Sequence, residues 1–280
     1  MNPSLGKYFK NQKFIELFAS LIEKFQEEKN TRKGTYKKYT SLDYAKEIIN
    51  VLVSSSSWRS YQGLINGRVL NNKHNSLINM GVYDKLYEIC SDSYFSINTF
   101  EKYKYQSIDC SFIPNKGCIS EEVGRNGFYK SKKGIKISTI VDSKGIPLGK
   151  PVLATGNRHD VALVDDTLNN ITRKLNTYNV RNNNRYKQTF MADKGYCSKN
   201  LQTKLKKKGH KVLILGKKNS KNKKFSKKEM ETYSKRTIVE NFFSWVKRYP
   251  KINCIYEKST KSYNGLLLLS ISRLMINRIS

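Results

Sequence analysis

Apolar positions in the first hundred residues recur at helical spacing. Phe14, Leu17, Phe18, Leu21, Ile22 and Phe25 are three or four apart and predict one face of an amphipathic helix. Ser41 is placed to cap a second helix, with Asp43 in its first turn and Ile48, Ile49 and Leu52 on its inner side. Trp58, Tyr61 and Leu64 suggest a third helix, and Val82, Leu86 and Ile89 a fourth. Short basic helices of this kind suit either a helical bundle or a helix-turn-helix reader of DNA.

The pattern changes near Lys104. Tyr105 to Ile113 alternates and is rich in β-formers, so it predicts a strand. Ile135–Val141 and Ile146–Leu153 predict two more, joined by a turn at Asp142-Ser143-Lys144-Gly145. Helix is expected over Asp160–Leu175, strand over Gln188–Ala192, then a helix capped by Ser198 and a strand over Lys211–Leu215. Two helices follow, Lys235 to about Arg248 and Tyr263–Ile279. Three antiparallel strands followed by alternating helices and strands describe an α/β sheet layered with helices.

Charge adds a partner class. Among 280 residues, 53 are Lys or Arg and 22 are Asp or Glu, a net charge of +31. That excess points to a polyanion, by default nucleic acid, a signal discounted because 41 of the cations are lysines, a residue with A/T-rich codons. Residues 199–258 hold +15 of it. Within them Lys217–Lys228 has no apolar period, and reads as a solvated loop or a phosphate-binding arm. The composition, 38% hydrophobic and 11% aromatic, excludes a disordered polycation. The most apolar stretch, Leu266–Ile279, is short and interrupted by Arg273 and Arg278, so no membrane span is expected, and the N-terminus shows no secretory pattern. Five cysteines without a CxxC pair and three histidines point away from disulfides and structural zinc, and toward a reducing compartment.

Against that background the acids in apolar settings are candidates for chemistry. Asp109 lies mid-strand between Ile108 and Cys110, Asp193 ends a strand before Lys194-Gly195-Tyr196, and Glu240 sits among Ile238, Val239, Phe242, Phe243 and Trp245. A buried lone carboxylate needs a partner, a cation or an exposed face. Three such acids, converging, make a hard-oxygen site suited to Mg²⁺ or Mn²⁺, and two ions there would serve phosphodiester cleavage. Tyr233, Arg236, Glu240, Ser244, Lys247 and Lys251 form one polar stripe at helical spacing, which as a plain ion-pair ladder would be worth little. Lys132, Lys133 and Lys136 beside Gly134 read as phosphate contacts or as a solvated strand edge. His159-Asp160 reads as a helix start with Asp160 capping, and Trp58 and Trp245 as core. No GxxxxGK[ST] loop supports ATP-driven chemistry.

Tyr233-x2-Arg236-x3-Glu240-x6-Lys247 resembles the Tyr-Arg-Glu-Lys signature of bacterial insertion-sequence transposases with an Asp-Asp-Glu active site. Asp109 in SIDCSFI resembles that family's first aspartate, and Asp193 in ADKGY its second. GIPL at 145–148, GNRHD at 156–160 and the strand from Gly134 are further landmarks, and WRSYQGL near Trp58 is a looser one. The resemblance spans roughly residues 105–257. It implies a ribonuclease H-like mixed sheet flanked by helices over 101–280, with a basic insertion around 217–228. A small helical region at 1–100 would precede it for DNA-end recognition. It further implies Asp109, Asp193 and Glu240 as ligands of two Mg²⁺ (or Mn²⁺) ions, and Tyr233, Arg236 and Lys247 as positioning residues. The expected partner is double-stranded DNA, as terminal inverted repeats and target, bound by a homodimer, with no membrane. The compartment would be the cytoplasm or nucleoid of a prokaryote. The activity would be cutting at the ends of a mobile element and joining of the 3′-hydroxyls to target. A metal-dependent nuclease without strand transfer and an inactive DNA-binding descendant are the alternatives.

Overall fold

A computed structural model of the chain describes residues 3–29, 38–97, 104–171, 188–216 and 225–279. These divide into two compact units. One is Met1–Ile97 with Asn115–Ser120 and Val246–Ser280; the other is Asn98–Pro114 with Glu121–Trp245. The last 35 residues therefore belong with the N-terminal helices, a grouping that a linear split at residue 100 does not contain.

The helical unit contains α1 (Pro3–Lys29), α2 (Ser41–Val53), α3 (Gly67–Asn79), α4 (Val82–Ser96) and, from the C-terminal part, the short α9 (Pro250–Asn253) and α10 (Thr260–Arg278). In α1 the expected row Phe14, Phe18, Leu21 and Ile22 is buried. Thr40, one residue before the expected Ser41, caps α2: its hydroxyl accepts from the Asp43 N–H while the Asp43 carboxylate accepts from the Thr40 N–H. The expected helix through Trp58, Tyr61 and Leu64 does not form. That stretch is a loop, Leu64 is 64% exposed, and the helix begins at Gly67 behind an Asn66 cap. Trp58 is buried for a different reason: its indole N–H donates to Glu257 at 2.7 Å, and its ring stacks on His74 at 5.1 Å. Helix α10 is buried almost all round from Thr260 to Met275 and packs on α4. Its buried hydroxyls bond back into the helix, Ser270 to the Leu267 carbonyl and Ser272 to the Leu268 carbonyl, so they are satisfied without a partner element. Among the described residues no helix is long and apolar enough to cross a membrane.

The second unit is built on one mixed sheet of β1 (Tyr105–Pro114), β2 (Gly124–Asn126), β3 (Lys132–Val141), β4 (Val152–Thr155), β5 (Thr189–Ala192) and β6 (Lys211–Ile214). Strand β1 is antiparallel to β3 and parallel to β5, which is parallel to β6. The far side of β3 is shared end to end by β2 and β4. The order β4-β3-β1-β5-β6 is the ribonuclease H-like arrangement expected from the sequence. Helices α5 (Val164–Asn169), α6 (Lys199–Lys207), α7 (Lys227–Ser234) and α8 (Ile238–Lys247) complete the elements, with the last two residues of α8 counted in the helical unit. The turn after β3 forms where expected: the Asp142 carboxylate accepts from the N–H groups of Lys144 and Ile146, and Gly145 takes φ +80°. A Cβ at Gly145 would also lie 2.8 Å from the Trp245 ring, so only glycine suits that position.

Several boundaries differ from the sequence reading. The strand expected over Ile146–Leu153 is displaced to Val152–Thr155, because Pro147 allows only an isolated bridge to Val141. Asp160–Leu163 is a 3-10 turn leading into a helix of six residues, while 172–187 lies outside the described residues. The basic run also falls mainly outside them, at 217–224, and its end is helical: Ser226 caps α7 in a capping box with Glu229. Lys136 pairs on both sides, with Phe112 and Ala154, and does not lie on a strand edge, whereas Lys132 and Lys133 pair only with β2, beyond the end of the β1 register at Gly134.

Candidate active site

Parallel pairing of β1 with β5 brings the first two acids together. Ser107 is in register with Met191, and Asp109 and Asp193 each lie two residues further on, on the same side of their strands. Strand β5 ends at Ala192, so Asp193 opens the 3-10 turn Lys194–Tyr196 rather than pairing in the sheet. The Tyr233 hydroxyl donates to the Ala192 carbonyl at 3.2 Å, which fixes the end of α7 beside Asp193. Tyr233 is held there by packing with Met191 and Leu213. A 3-10 turn, Lys235–Thr237, then carries the chain into α8, so Arg236 and Glu240 follow one turn apart. The Arg236 guanidinium meets the Glu240 carboxylate at 2.9 Å and lies 5.8 Å from the Tyr233 ring centre.

Arg236 is the cation that the three acids share. Burial works against its charge, but Tyr233, Glu240, Asp193 and Asp109 outweigh that and hold its pKa above the ordinary value. Asp109 shows the opposite strain. Burial pushes its carboxyl up to about 6 from 3.8; the Cys110 N–H, bonded at 2.8 Å, and Arg236 pull it back, and the charges of Asp160 and Asp193 raise it further. A half-buried acid that resists ionising beside two others is a place where added positive charge is favoured.

Asp160 belongs to this electrostatic neighbourhood, which the sequence reading did not assign it. It makes no capping bond; His159 takes the cap position, without a side-chain bond. Instead Asp160 accepts from Lys136 Nζ at 2.7 Å, and the same ammonium donates to the Arg158 carbonyl at 2.8 Å. Lys136 is therefore an intramolecular partner of Asp160, not a solvated lysine. The signal lay in the register: Lys136 pairs with Phe112, three residues beyond Asp109, but nothing in the sequence marks that pairing. Cys110 is packed, with the buried Tyr196 hydroxyl donating to its sulfur at 3.3 Å.

The remaining site residues are dispersed. Lys132 and Lys133 are exposed where β3 pairs β2, opposite Asn126 and Arg125. Lys247 lies two turns beyond Glu240 on α8, half-buried, and desolvation lowers its pKa. Lys251 leaves the stripe. Pro250 starts α9, and Lys251 is buried against Glu257, so the polar row stops at α8.

Among the described residues no group of three or more His, Cys, Asp or Glu side chains stands ready to hold a metal ion; Glu240 is turned toward Arg236. The donor chemistry nevertheless suits a hard divalent cation: Asp109 and Asp193 offer only carboxylate oxygens, and Asp109 is short of positive charge.

A search of curated proteins finds no match. Among solved structures, the cryo-EM structure of a piggyBac transposase synaptic complex with hairpin DNA is similar at 12% identity and a TM-score of 0.49, over 94% of this chain and 72% of that one. The family model described as the transposase DDE domain matches residues 108–275, which include Asp109, Asp193 and Glu240. The match covers more than half of the chain, which therefore belongs to the transposase DDE domain family.

Proposed function

We propose that the chain is a DNA transposase whose acids Asp109, Asp193 and Glu240 hold two Mg²⁺ (or Mn²⁺) ions. The observation that carries this is the parallel register of β1 and β5, with Asp109 and Asp193 each two residues beyond the Ser107–Met191 pair, and Arg236 supplying charge that a divalent cation would supply better. When bound, such ions lower the pKa of water and stabilise a leaving oxygen, which is the chemistry of phosphodiester cleavage and transfer. The chain does the rest. Tyr233 fixes α7 at the end of β5, Arg236 orients the Glu240 carboxylate, and Lys247 presents an ammonium for a phosphate along α8. The substrate is double-stranded DNA, cut at the ends of a mobile element by a homodimer and joined to a target through the 3′-hydroxyl. A nuclease without strand transfer needs the same carboxylates and differs only in the product.

The test is excision from a donor plasmid that carries the gene with its own flanking DNA. Asp193→Asn keeps the side-chain shape but removes the charge, and is expected to lower excision at least ~1000-fold while the protein stays folded. Excision near the wild-type rate by that variant would remove Asp193 from the site. Cut donor without joined product would favour the nuclease.

A further inference from the structure

Opposite Asp109 stands a buried hydroxyl that the fold does not use. Thr139 is the partner of Asp109 across the β1–β3 pair, so the two side chains stand on the same side of the sheet. Thr139 is 1% exposed, and among the described residues its hydroxyl has no hydrogen-bond partner. We infer that Thr139 is a positioning residue of the carboxylate site, whose hydroxyl donates to the Asp109 carboxylate when that carboxylate holds a divalent cation. The inference rests on the metal reading given above and adds to it a residue outside the three acids.

Three observations carry it. The first is the cost of leaving the hydroxyl alone. A buried polar group without a partner is destabilising, and native chains leave few of them. The adjacent position on β3 shows the usual outcome. Ser138 projects from the opposite side of the sheet and meets the Thr167 hydroxyl at 2.7 Å, and Thr167 in turn donates to the Leu163 carbonyl. Strand β3 has thus satisfied one hydroxyl and left the next one unpaired, and the unpaired one is on the Asp109 side.

The second is reach. Side chains directly opposite in an antiparallel pair have Cβ atoms about 4.5–5.5 Å apart. The threonine oxygen is bonded to Cβ itself and the carboxylate oxygens lie one atom further out, so a change of the Thr139 rotamer brings the two groups within hydrogen-bond distance. Ser107 is also fully buried and unpaired, on the same side of β1. It lies about 7 Å from Asp109 along the strand. Its own cross-strand neighbour is Val141, so Thr139 is the nearer donor.

The third is demand. The Asp109 carboxylate accepts the Cys110 N–H on Oδ1, and among the described residues Oδ2 accepts no hydrogen bond. Arg236 is paired with Glu240 at 2.9 Å, which leaves that second oxygen to another donor. Carboxylates that hold a metal are themselves held by hydrogen bonds, and these outer partners fix which oxygen meets the ion.

The test uses the full chain without DNA, so no turnover is involved. Mn²⁺ is titrated and the free ion is followed by electron paramagnetic resonance, with unfolding in EDTA measured in parallel. Thr139→Val keeps the branched shape and removes the hydroxyl. It is expected to unfold at or above the wild-type midpoint in EDTA, and to bind Mn²⁺ about 10- to 100-fold more weakly. Thr139→Ser keeps the hydroxyl and should bind close to the wild type, as should Ser107→Ala. Wild-type affinity in Thr139→Val would overturn the inference. Early unfolding of Thr139→Val in EDTA would do the same, because the hydroxyl would then serve the fold. So would an equal weakening in Thr139→Ser or Ser107→Ala, which would trace the loss to packing. Asp193→Asn separates the two levels. Binding lost there but kept by Thr139→Val overturns this inference alone, whereas a wild type that binds no Mn²⁺ overturns the metal reading and the inference together.

Discussion

Each unit takes a carboxylate out of water, Glu257 fully and Asp109 in part, and the two are treated in opposite ways. Glu257, 3% exposed, receives the Trp58 indole N–H at 2.7 Å and the Ser262 hydroxyl at 3.2 Å, with the buried Lys251 ammonium at 3.7 Å. Asp109 receives one backbone N–H and otherwise depends on Arg236, which it shares with Asp193 and Glu240. The helical unit gives its acid two donors, both on Oε2, and a buried counter-charge 3.7 Å from Oε1, which has no hydrogen bond of its own, and so gains a fixed connection between the Trp58 loop, α9 and α10. The sheet unit has left its acid short of positive charge, and that shortage is what makes the position suitable for a cation. Burial alone does not distinguish a structural acid from a functional one; the count of donors does.

The largest effect on stability is expected at Glu257. Glu257→Ala leaves the Lys251 ammonium buried without its counter-charge, and removal of one partner from a buried pair costs about 3–5 kcal/mol. Desolvation already lowers the Lys251 pKa, with Glu257 opposing it, so the variant should lower that pKa further. Denaturant unfolding checks the first expectation. A change below about 1 kcal/mol would mean that the pair is not closed off from water, and the contrast with Asp109 would fail.

Asp109→Asn is expected to act in the opposite direction. The folded-state carboxyl titrates at about 6 and the ordinary value is 3.8. Between those two pH values the folded chain binds more protons than the unfolded one, so this group destabilises the fold above pH 6, and that cost disappears as the pH falls below 3.8. At pH 7 in EDTA the amide should therefore stabilise the protein, by at most about 3 kcal/mol. Acidification acts on the helical unit with the other sign. His74 is buried and pushed down to about 4, chiefly by desolvation, so its contribution is full above 6.5 and is lost as pH falls toward 4. Asp109→Asn removes an opposing contribution, and the variant should lose more stability than the wild type between pH 7 and pH 4. Equal pH profiles would show that Asp109 is not strained. Added Mg²⁺ should stabilise the wild type more than the variant.

The two acids also differ in how far the sequence exposed them. Asp109 was legible because β1 is rich enough in β-formers to be recognised as a strand, where an acid between Ile108 and Cys110 stands out, although burial along β1 does not alternate. Glu257 was not, because its donors come from 199 and 5 residues away and no periodicity links them. The same cause misplaced the third helix. Trp58 fits a helical row by spacing, whereas it is buried by a distant hydrogen bond to Glu257 and a stack on His74, while Arg59 and Ser60 beside it are exposed. Lys251 fell on the stripe by spacing alone, and the Pro250 helix start, a local signal, broke the register. Local patterns revealed β1, β3, β5, β6 and the Asp193 turn; polar pairing across the chain, as in Lys136 with Asp160, remained hidden until the strands were in register.

The smallest stability effect, and the sharpest distinction between the two roles, is expected at Glu240. Its side chain is 51% exposed, and its partner Arg236 lies one turn away on the same helical path. An exposed pair at this spacing contributes about 0.3–0.5 kcal/mol, because water competes for both charges and two long side chains must be held still. Glu240→Gln keeps the size and one oxygen acceptor, so its unfolding midpoint should be close to the wild type. If Glu240 were a structural acid like Glu257, that would be the whole result. If it is a site acid, excision should fall about as far as in Asp193→Asn, because an amide oxygen cannot supply the negative charge that a divalent cation requires. Removing Glu240 also frees Arg236 to serve Asp109 and Asp193 alone, which should lower the Asp109 pKa, an effect that carbon-13 NMR of the carboxyl can read. A variant that unfolds early would place Glu240 with Glu257. A stable variant with full excision would leave Asp109 and Asp193 as the working pair and Glu240 as the holder of Arg236.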